Sequence, residues 1–311
     1  MGSGDQLSTT TLEATRPSGA QRHAAPRTRR RRGLLGALGL GPFGIYLLLF
    51  LILPTVLAVS TGFLDGQGRF TWDNVTALAD PVILKTFWNS VWLSLLTAAV
   101  GAIAGAAVCY ALLGVPPTHP VRTVVDAASG TLAQFGGVML AFVFIATMGR
   151  NALITQWLLG IGIDIYAASN WLYALPGLIL PYIYFQVPLM VITFSPALDG
   201  LRPQWAEANL TLGGNARTFW TRIGLPILAP SFAASYLLLF ANSFSAYATA
   251  AALASQGSQI VPLQIRAALT SETVLGRSNL AGSLALGMIV LMALVMAGYA
   301  AIQRRAERWR S

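Results

Sequence analysis

The sequence predicts an all-α, polytopic membrane protein with six transmembrane helices and both termini cytoplasmic. Three observations carry that expectation. Of the 311 residues only 10% are charged and 55% are hydrophobic, with a mean hydropathy of +0.62. Soluble domains carry roughly 25% charged residues, so much of this surface must face something other than water. Second, six stretches are apolar and long enough for a bilayer core, which takes about 20 residues per helix. Third, the charge sits at the ends: seven of the twenty basic residues lie in the first 32 positions and four in the last eight. Basic ends flanking apolar spans follow the positive-inside rule, whereas a nucleic-acid binder gathers its charge on one folded face. The expected surrounding is therefore membrane lipid, with no nucleic acid despite a net charge of +9.

Residues 1–33 are rich in Ser, Thr, Gly, Ala and Arg without apolar periodicity, so they read as a disordered basic cytoplasmic tail ending in Arg29–Arg32. A basic stretch before an apolar one also opens secreted proteins. The run from Gly33 to about Phe63 is far longer than a signal core of roughly 7–15 residues, and further spans follow, so a retained first helix is expected. Residues 34–311 then form a six-helix transmembrane domain, with spans at about 40–62, 87–113, 126–148, 171–196, 227–252 and 279–302. Gly101 and Gly105, four apart, would let a neighbouring helix approach closely. Pro176, Pro181 and Pro188 predict kinks in the fourth span, tolerable where neighbours satisfy the freed carbonyls. With the termini inside, fifteen basic residues fall on the cytoplasmic side and five (Arg69, Lys85, Arg150, Arg266, Arg277) outside.

Two residue types exclude other chemistry. Cys109 is the only cysteine and lies in an apolar span, so it reads as a small packing residue and allows no disulfide. His23 and His119 have no partner at metal-ligand spacing, and no nucleophile–base or carboxylate pair points to catalysis. No catalytic residue, metal site or bound cofactor is expected.

The long inner loop, residues 197–226, is where function concentrates. Pro203 suits a helix start, the Gly213-Gly214 pair suits its end, and Asn215 can cap a second short helix. Phe219, Trp220 and Ile223 make that helix amphipathic, and Pro226 opens the fifth span. The expected object is a compact elbow of two short helices around a glycine hinge.

Within it stand Glu207-Ala208-Asn209, three residues, Gly213, nine residues, then Ile223, Leu225 and Pro226. This resembles the cytoplasmic signature of binding-protein-dependent ABC importer permeases, which have the MetI-like fold: Glu-Ala-Ala, three residues, Gly, nine residues, Ile-x-Leu-Pro. Asn209 replaces the second alanine. The resemblance extends over about residues 40–305 when span count and loop placement are included. It implies that the elbow is a coupling helix docking into an ATPase, with Ala208 allowing close approach, Gly213 the bend and Glu207 a carboxylate for a polar partner. Asn209, larger and polar, bears on how tightly the elbow docks. It further implies two copies of an ABC ATPase that hold the ATP and Mg, a second homologous or identical permease subunit, and an extracytoplasmic binding protein, all at a bacterial plasma membrane. The chain has no Gly-x-x-x-x-Gly-Lys-Ser/Thr loop, so it is expected to be a transport subunit rather than a Walker-type ATPase.

All eleven acidic residues lie outside the apolar centres of the spans, Asp126 coming nearest. Ion-coupled transporters usually keep ionisable groups near mid-membrane, which weighs against a secondary transporter or channel subunit. A scaffold without transport activity is a further alternative. The pathway candidates are neutral: Asn89, Ser90 and Ser94; Tyr182, Tyr184 and Gln186; Asn242, Ser243, Ser245 and Tyr247. Each could instead join helices, at about 1 kcal/mol apiece. Tyr182, Tyr184 and Gln186 make the best cluster, beside Pro181 and Pro188. Phe70-Thr-Trp-Asp-Asn-Val75, Trp88-Asn89-Ser90 and Ile260-Val-Pro-Leu263 resemble polyamine-, iron- and phosphonate-type permeases, and sugar permeases share much of that pattern. A polyamine could ride on tyrosine faces by cation–π attraction.

Overall fold

The protein is described by a computed structural model covering residues 41–116, 118–254, 260–270 and 278–308. The expected tail at 1–33, with Arg29–Arg32, lies outside the described residues, as do Arg277 and Arg310. Among the described residues the regular elements are helices, apart from one isolated antiparallel bridge between Leu64 and Phe70. Six helical stretches are long and apolar enough to cross a membrane.

By contacts the chain divides into a unit up to Pro54 and a unit from Thr55. The first carries most of α1 (Gly41–Thr61), whose large apolar side chains are exposed, Phe50 by 69%. Leu48–Ile52 form a π turn in which the Leu53 N–H reaches back to the Leu48 carbonyl. The cause is Pro54, which has no N–H and crowds the preceding turn.

In the second unit α2 (Pro81–Ala111) is the central element. It starts earlier than the expected residue 87 because Asp80 caps it, accepting from the Val82 N–H at 2.7 Å, with Pro81 at the first helical position. It packs along α6 (Ile179–Asp199) and α9 (Leu225–Ser245). The expected close approach at Gly101 and Gly105 is found here: a Cβ on either would come within about 2.6 Å of Gln186 Cβ or Met190 Cβ. Between α2 and α6 run α3 (Pro120–Gln134), α4 (Gly137–Met148) and α5 (Leu153–Gly160).

The third span is where the expectation of 126–148 fails. That window straddles a break at Phe135–Gly136, and the membrane-length stretch is Gly137–Gly160. Gly137 has φ +68°, which ends any continuous helix there. Residues 120–134 carry Asp126, Ser129, Thr131 and Gln134, so they form an amphipathic helix against α6. The fourth membrane-length stretch, Leu175–Asp199, begins in 3-10 turns, and α6 runs unbroken past Pro188 and Pro196.

The elbow follows: α7 (Pro203–Thr211), then α8 (Ala216–Phe219). A π turn at Trp220–Gly224 leads into α9. As at Pro54, a proline explains that turn: the Leu225 N–H returns to the Trp220 carbonyl, just before Pro226. The fifth stretch, Ala216–Leu253, is interrupted at Ala246–Tyr247 before α10 (Ala248–Leu253). Last come α11 (Val261–Thr270) and α12 (Ser278–Arg308). Gly62 and Gly282 meet backbone to backbone where α12 crosses the Thr61–Phe63 segment, fixed by a 3.0 Å bond from Ser283 Oγ to the Gly62 carbonyl.

Candidate functional site

The elbow is tightly knit. Gly213 takes φ +76°, and its N–H bonds the Leu210 carbonyl while the Gly214 N–H bonds that of Asn209 at 2.8 Å. This is a Schellman end, which closes α7 and turns the chain. Asn215 then caps α8 as expected, its Oδ1 accepting from the Thr218 N–H at 2.9 Å. Asn209 is buried, and its Nδ2 donates to the Asn215 carbonyl at 3.1 Å, so it clips the start of the second helix to the end of the first. It does not share the outer face of α7, where Glu207 and Ala208 are exposed. Of the other signature residues, Ile223 and Pro226 are half-buried and Leu225 is 58% exposed.

Two apolar residues that motif reasoning passed over stand out: Leu210 is 64% exposed and Leu212 88%, the highest value among the described large hydrophobic side chains. No sequence signal separates them from membrane-facing leucines; their exposure follows from the Schellman turn. Behind the elbow lies a cavity of about 580 Å3 between α2 and α7–α8, walled by Tyr110, Leu113, Ala206, Asn209, Phe219 and Trp220. The Tyr110 and Trp220 rings meet edge to face at 5.4 Å.

The pathway candidates separate into two groups. Tyr182 and Gln186 are fully buried. The Tyr182 hydroxyl donates to the Ala246 carbonyl at 2.8 Å. The Gln186 amide satisfies both its ends when its oxygen accepts from Thr97 Oγ1 (2.9 Å) and its nitrogen donates to the Leu239 carbonyl (3.2 Å). Thr97 also bonds Ser243 at 3.0 Å, so this network ties α2, α6 and α9 together. Ser94 is buried, and Ser90 Oγ accepts from the Val261 N–H at 2.8 Å, at the start of α11. Tyr184 is half-buried between Phe135 and Phe144, with Asn89 also half-buried.

Asn242, Ser245 and Tyr247 instead line a polar cavity of about 260 Å3, together with Gly136, Gly137, Phe185 and Thr249. The two helix breaks, Phe135–Gly136 and Ala246–Tyr247, stand side by side around it. The Thr249 hydroxyl donates to the Gly137 carbonyl at 3.1 Å across the gap. Broken helices at membrane depth persist where the freed backbone lines a cavity or finds such partners. Among the described residues no cluster of His, Cys, Asp or Glu is spaced to hold a metal.

The fold is shared with solved transporters. A bacterial alginate ABC transporter, in complex with its pentasaccharide-bound periplasmic protein, has a chain that superposes with a TM-score of 0.71 at 19% identity, covering 89% of this chain and 96% of that one. The inward-facing MetNI methionine ABC transporter gives 0.52 at 14%, covering 72% and 96%. The class is thus a multi-pass membrane protein with the fold of ABC-transporter permeases. Among curated proteins, the particular relatives are transport-system permeases rather than enzymes. A spermidine/putrescine permease protein of Haemophilus influenzae is 24% identical over 265 residues, 82% of this chain and 89% of that protein. The Escherichia coli one is 25% identical over 206 residues, 62% and 72%. A ferric transport permease protein of Actinobacillus pleuropneumoniae is 26% identical over 217 residues, 68% of this chain but only 30% of that protein's length. No protein-family model matches the sequence.

Proposed function

We propose that this chain is one permease subunit of a bacterial ABC importer, forming half of a translocation pathway in the plasma membrane with the elbow and both termini cytoplasmic. The observation that carries it is the elbow: the Glu207–Pro226 signature folds as a hydrogen-bonded protrusion that turns Glu207, Ala208, Leu210 and Leu212 outward. Exposed leucines beside a carboxylate, outside the membrane-length stretches, suit a protein partner more than lipid or water. That partner is an ATPase present in two copies, which hold the ATP and Mg. A second homologous or identical permease completes the pathway, and an extracytoplasmic binding protein delivers the solute. The 260 Å3 cavity at the paired breaks is the pathway segment this subunit contributes, with Asn242 and Ser245 as its polar contacts.

The solute is small and polar, and the relatives named for spermidine and putrescine support a polyamine-like one. The alginate transporter's similar fold favours a sugar-type substrate as the second reading. Co-expression with the neighbouring ATPase and affinity purification test the proposal. The native chain should retain the ATPase, whereas Glu207→Ala weakens and Gly213→Pro abolishes retention. Unchanged retention in both variants would remove the elbow from the interface. Mass spectrometry of the ligand released from the cognate binding protein decides between amine and sugar.

A further inference from the structure

Against the end of α6 lies a buried cation that the importer reading leaves without a task. Arg122, in the first turn of α3, is nine-tenths buried. Its guanidinium pairs with Asp199, the last residue of α6, through a short contact, and lies 3.8 Å from Asp126 one turn along α3. It also donates to the Val115 carbonyl in the connection after α2, at 3.5 Å. One side chain therefore joins three elements, and Asp199 holds its pKa above the ordinary arginine value.

Both sides of this joint lead somewhere. From Asp199 only Gly200, Leu201 and Arg202 intervene before α7, and that connection is itself bonded: Gly200 N–H to the Pro196 carbonyl, Leu201 N–H to Leu198, Trp205 N–H to Arg202. A force on the elbow thus arrives at Asp199 with little slack. From Arg122, α3 runs on to its end at Gln134, the whole 15-residue helix being a rod of about 22 Å. The residues just past that end, Gly136 and Gly137, line the cavity at the paired helix breaks, as does Ala133 within it.

We infer that Arg122 is a positioning residue that makes α3 a strut, carrying displacement of the elbow to the wall of the broken-helix cavity. The guanidinium is shielded while its two carboxylates stand half exposed, so the contact acts less as a buried charge than as a three-way tie between α3, the end of α6 and the Val115 carbonyl. It thus keeps α3 and α6 moving as one body. Coupling between distant sites needs a physical chain of this kind. The inference rests on the importer reading for the source of the force and not for the geometry of the joint.

The test uses the permease–ATPase complex with spin labels on Thr123→Cys in α3 and Gln204→Cys in α7, both exposed, in a Cys109→Ser background. Distance distributions are recorded by pulsed EPR without nucleotide and with Mg–AMP-PNP, so no solute is needed. The expected result is one narrow distribution, unmoved by nucleotide, in the native pair. Arg122→Gln should broaden it already without nucleotide, and at least about twofold once nucleotide is bound, the two segments no longer sharing one state. The charge exchange Arg122→Asp/Asp199→Arg should narrow it again in part, Asp126 then facing a carboxylate at position 122, and the nucleotide dependence of the width is the readout that a merely structural role would not move. Where Arg122→Gln does not yield a folded complex, Arg122→Lys supplies the same comparison with the charge retained and the fork lost. A native-width distribution in the single variant, or a native distance that shifts with nucleotide, overturns the strut. Failure of the native chain to retain any ATPase overturns the importer reading instead, and the nucleotide-free widths still judge the joint.

Discussion

At the scale of single residues, the elbow shows how little a motif says about which way a side chain points. Asn209 departs from the alanine of the resembled signature, and its size suggested an effect on docking. Its amide turns inward and holds Asn215, away from the outward Glu207 and Ala208. Leu212 drew no notice, yet it is 88% exposed. The difference arises in the Schellman turn: Gly213 at φ +76° brings Gly214 and Asn215 back over Asn209 and leaves Leu212 uncovered. Two substitutions separate the roles. Leu212→Ser should weaken ATPase binding about tenfold, or about 1.4 kcal/mol, with an unchanged melting temperature, as read by titration and thermal unfolding. Asn209→Ala should do the reverse, loosening the elbow by about 1 kcal/mol. Amide exchange at Thr218 reads it, with a smaller effect on affinity. The hinge and cap were readable because Gly-Gly and Asn have backbone preferences of their own. Exposure was not, because it depends on the path of the whole turn.

At the scale of helices, hydropathy located the first, fourth and sixth spans to within about four residues, since each is a single apolar block. The second and fifth begin six and eleven residues before the expected positions, where Asp80 and Asn215 cap helix beyond the apolar block. The third escaped because a hydropathy window cannot see a break in backbone direction: residues 126–148 are apolar enough on average, while Gly137 at φ +68° splits them between two helices. The same limitation hid the paired breaks that form the cavity. Asn242 and Ser245 were readable as polar residues in a span, but their meeting with Gly136 depends on two interruptions lying side by side. Arg122 was hidden in a similar way, its partner Asp199 standing 77 residues along the chain. Helix packing, by contrast, was anticipated by Gly101 and Gly105. Gly105→Val should clash with Met190 and the Val187 carbonyl and cost about 1–3 kcal/mol. Gly130→Ala in α3 meets nothing within 4 Å and should be neutral or stabilising by up to about 1 kcal/mol. Thermal unfolding of the two variants in detergent gives the comparison.

For the whole molecule the deciding quantity is orientation, on which the use of the elbow depends. Three contacts gather one end of the described bundle: Arg122 with Asp199, Tyr110 with Trp220 at 5.4 Å, and the Tyr299 hydroxyl with the Pro230 carbonyl at 2.9 Å. The other end is marked by Asn279 on the Leu64 carbonyl at 2.8 Å and Val261 on Ser90 at the same distance. Cations occur at both. Arg122, Arg202, Arg217 and Arg222 belong to the elbow end, against Arg69, Lys85, Arg150 and Arg266 opposite, so the folded core carries little bias of its own. The fifteen-to-five asymmetry comes chiefly from the seven arginines of the first 32 residues and from Arg304, Arg305, Arg308 and Arg310. Basic residues close to span ends set orientation more strongly than distant ones, so Arg29–Arg32 before α1 and the cluster closing α12 should act together to hold the elbow inside. A green fluorescent protein fused after Ser311 should therefore fluoresce, and an alkaline phosphatase at the same point should be silent. Replacing Arg29–Arg32 by serine should leave that pattern in most molecules, because the closing cluster persists. Removing both clusters should produce mixed orientation and a matching loss of retained ATPase. The opposite reporter pattern in the native chain would put the elbow where no ATPase can reach it, and Leu212 and Glu207 would need a partner on the far side of the membrane.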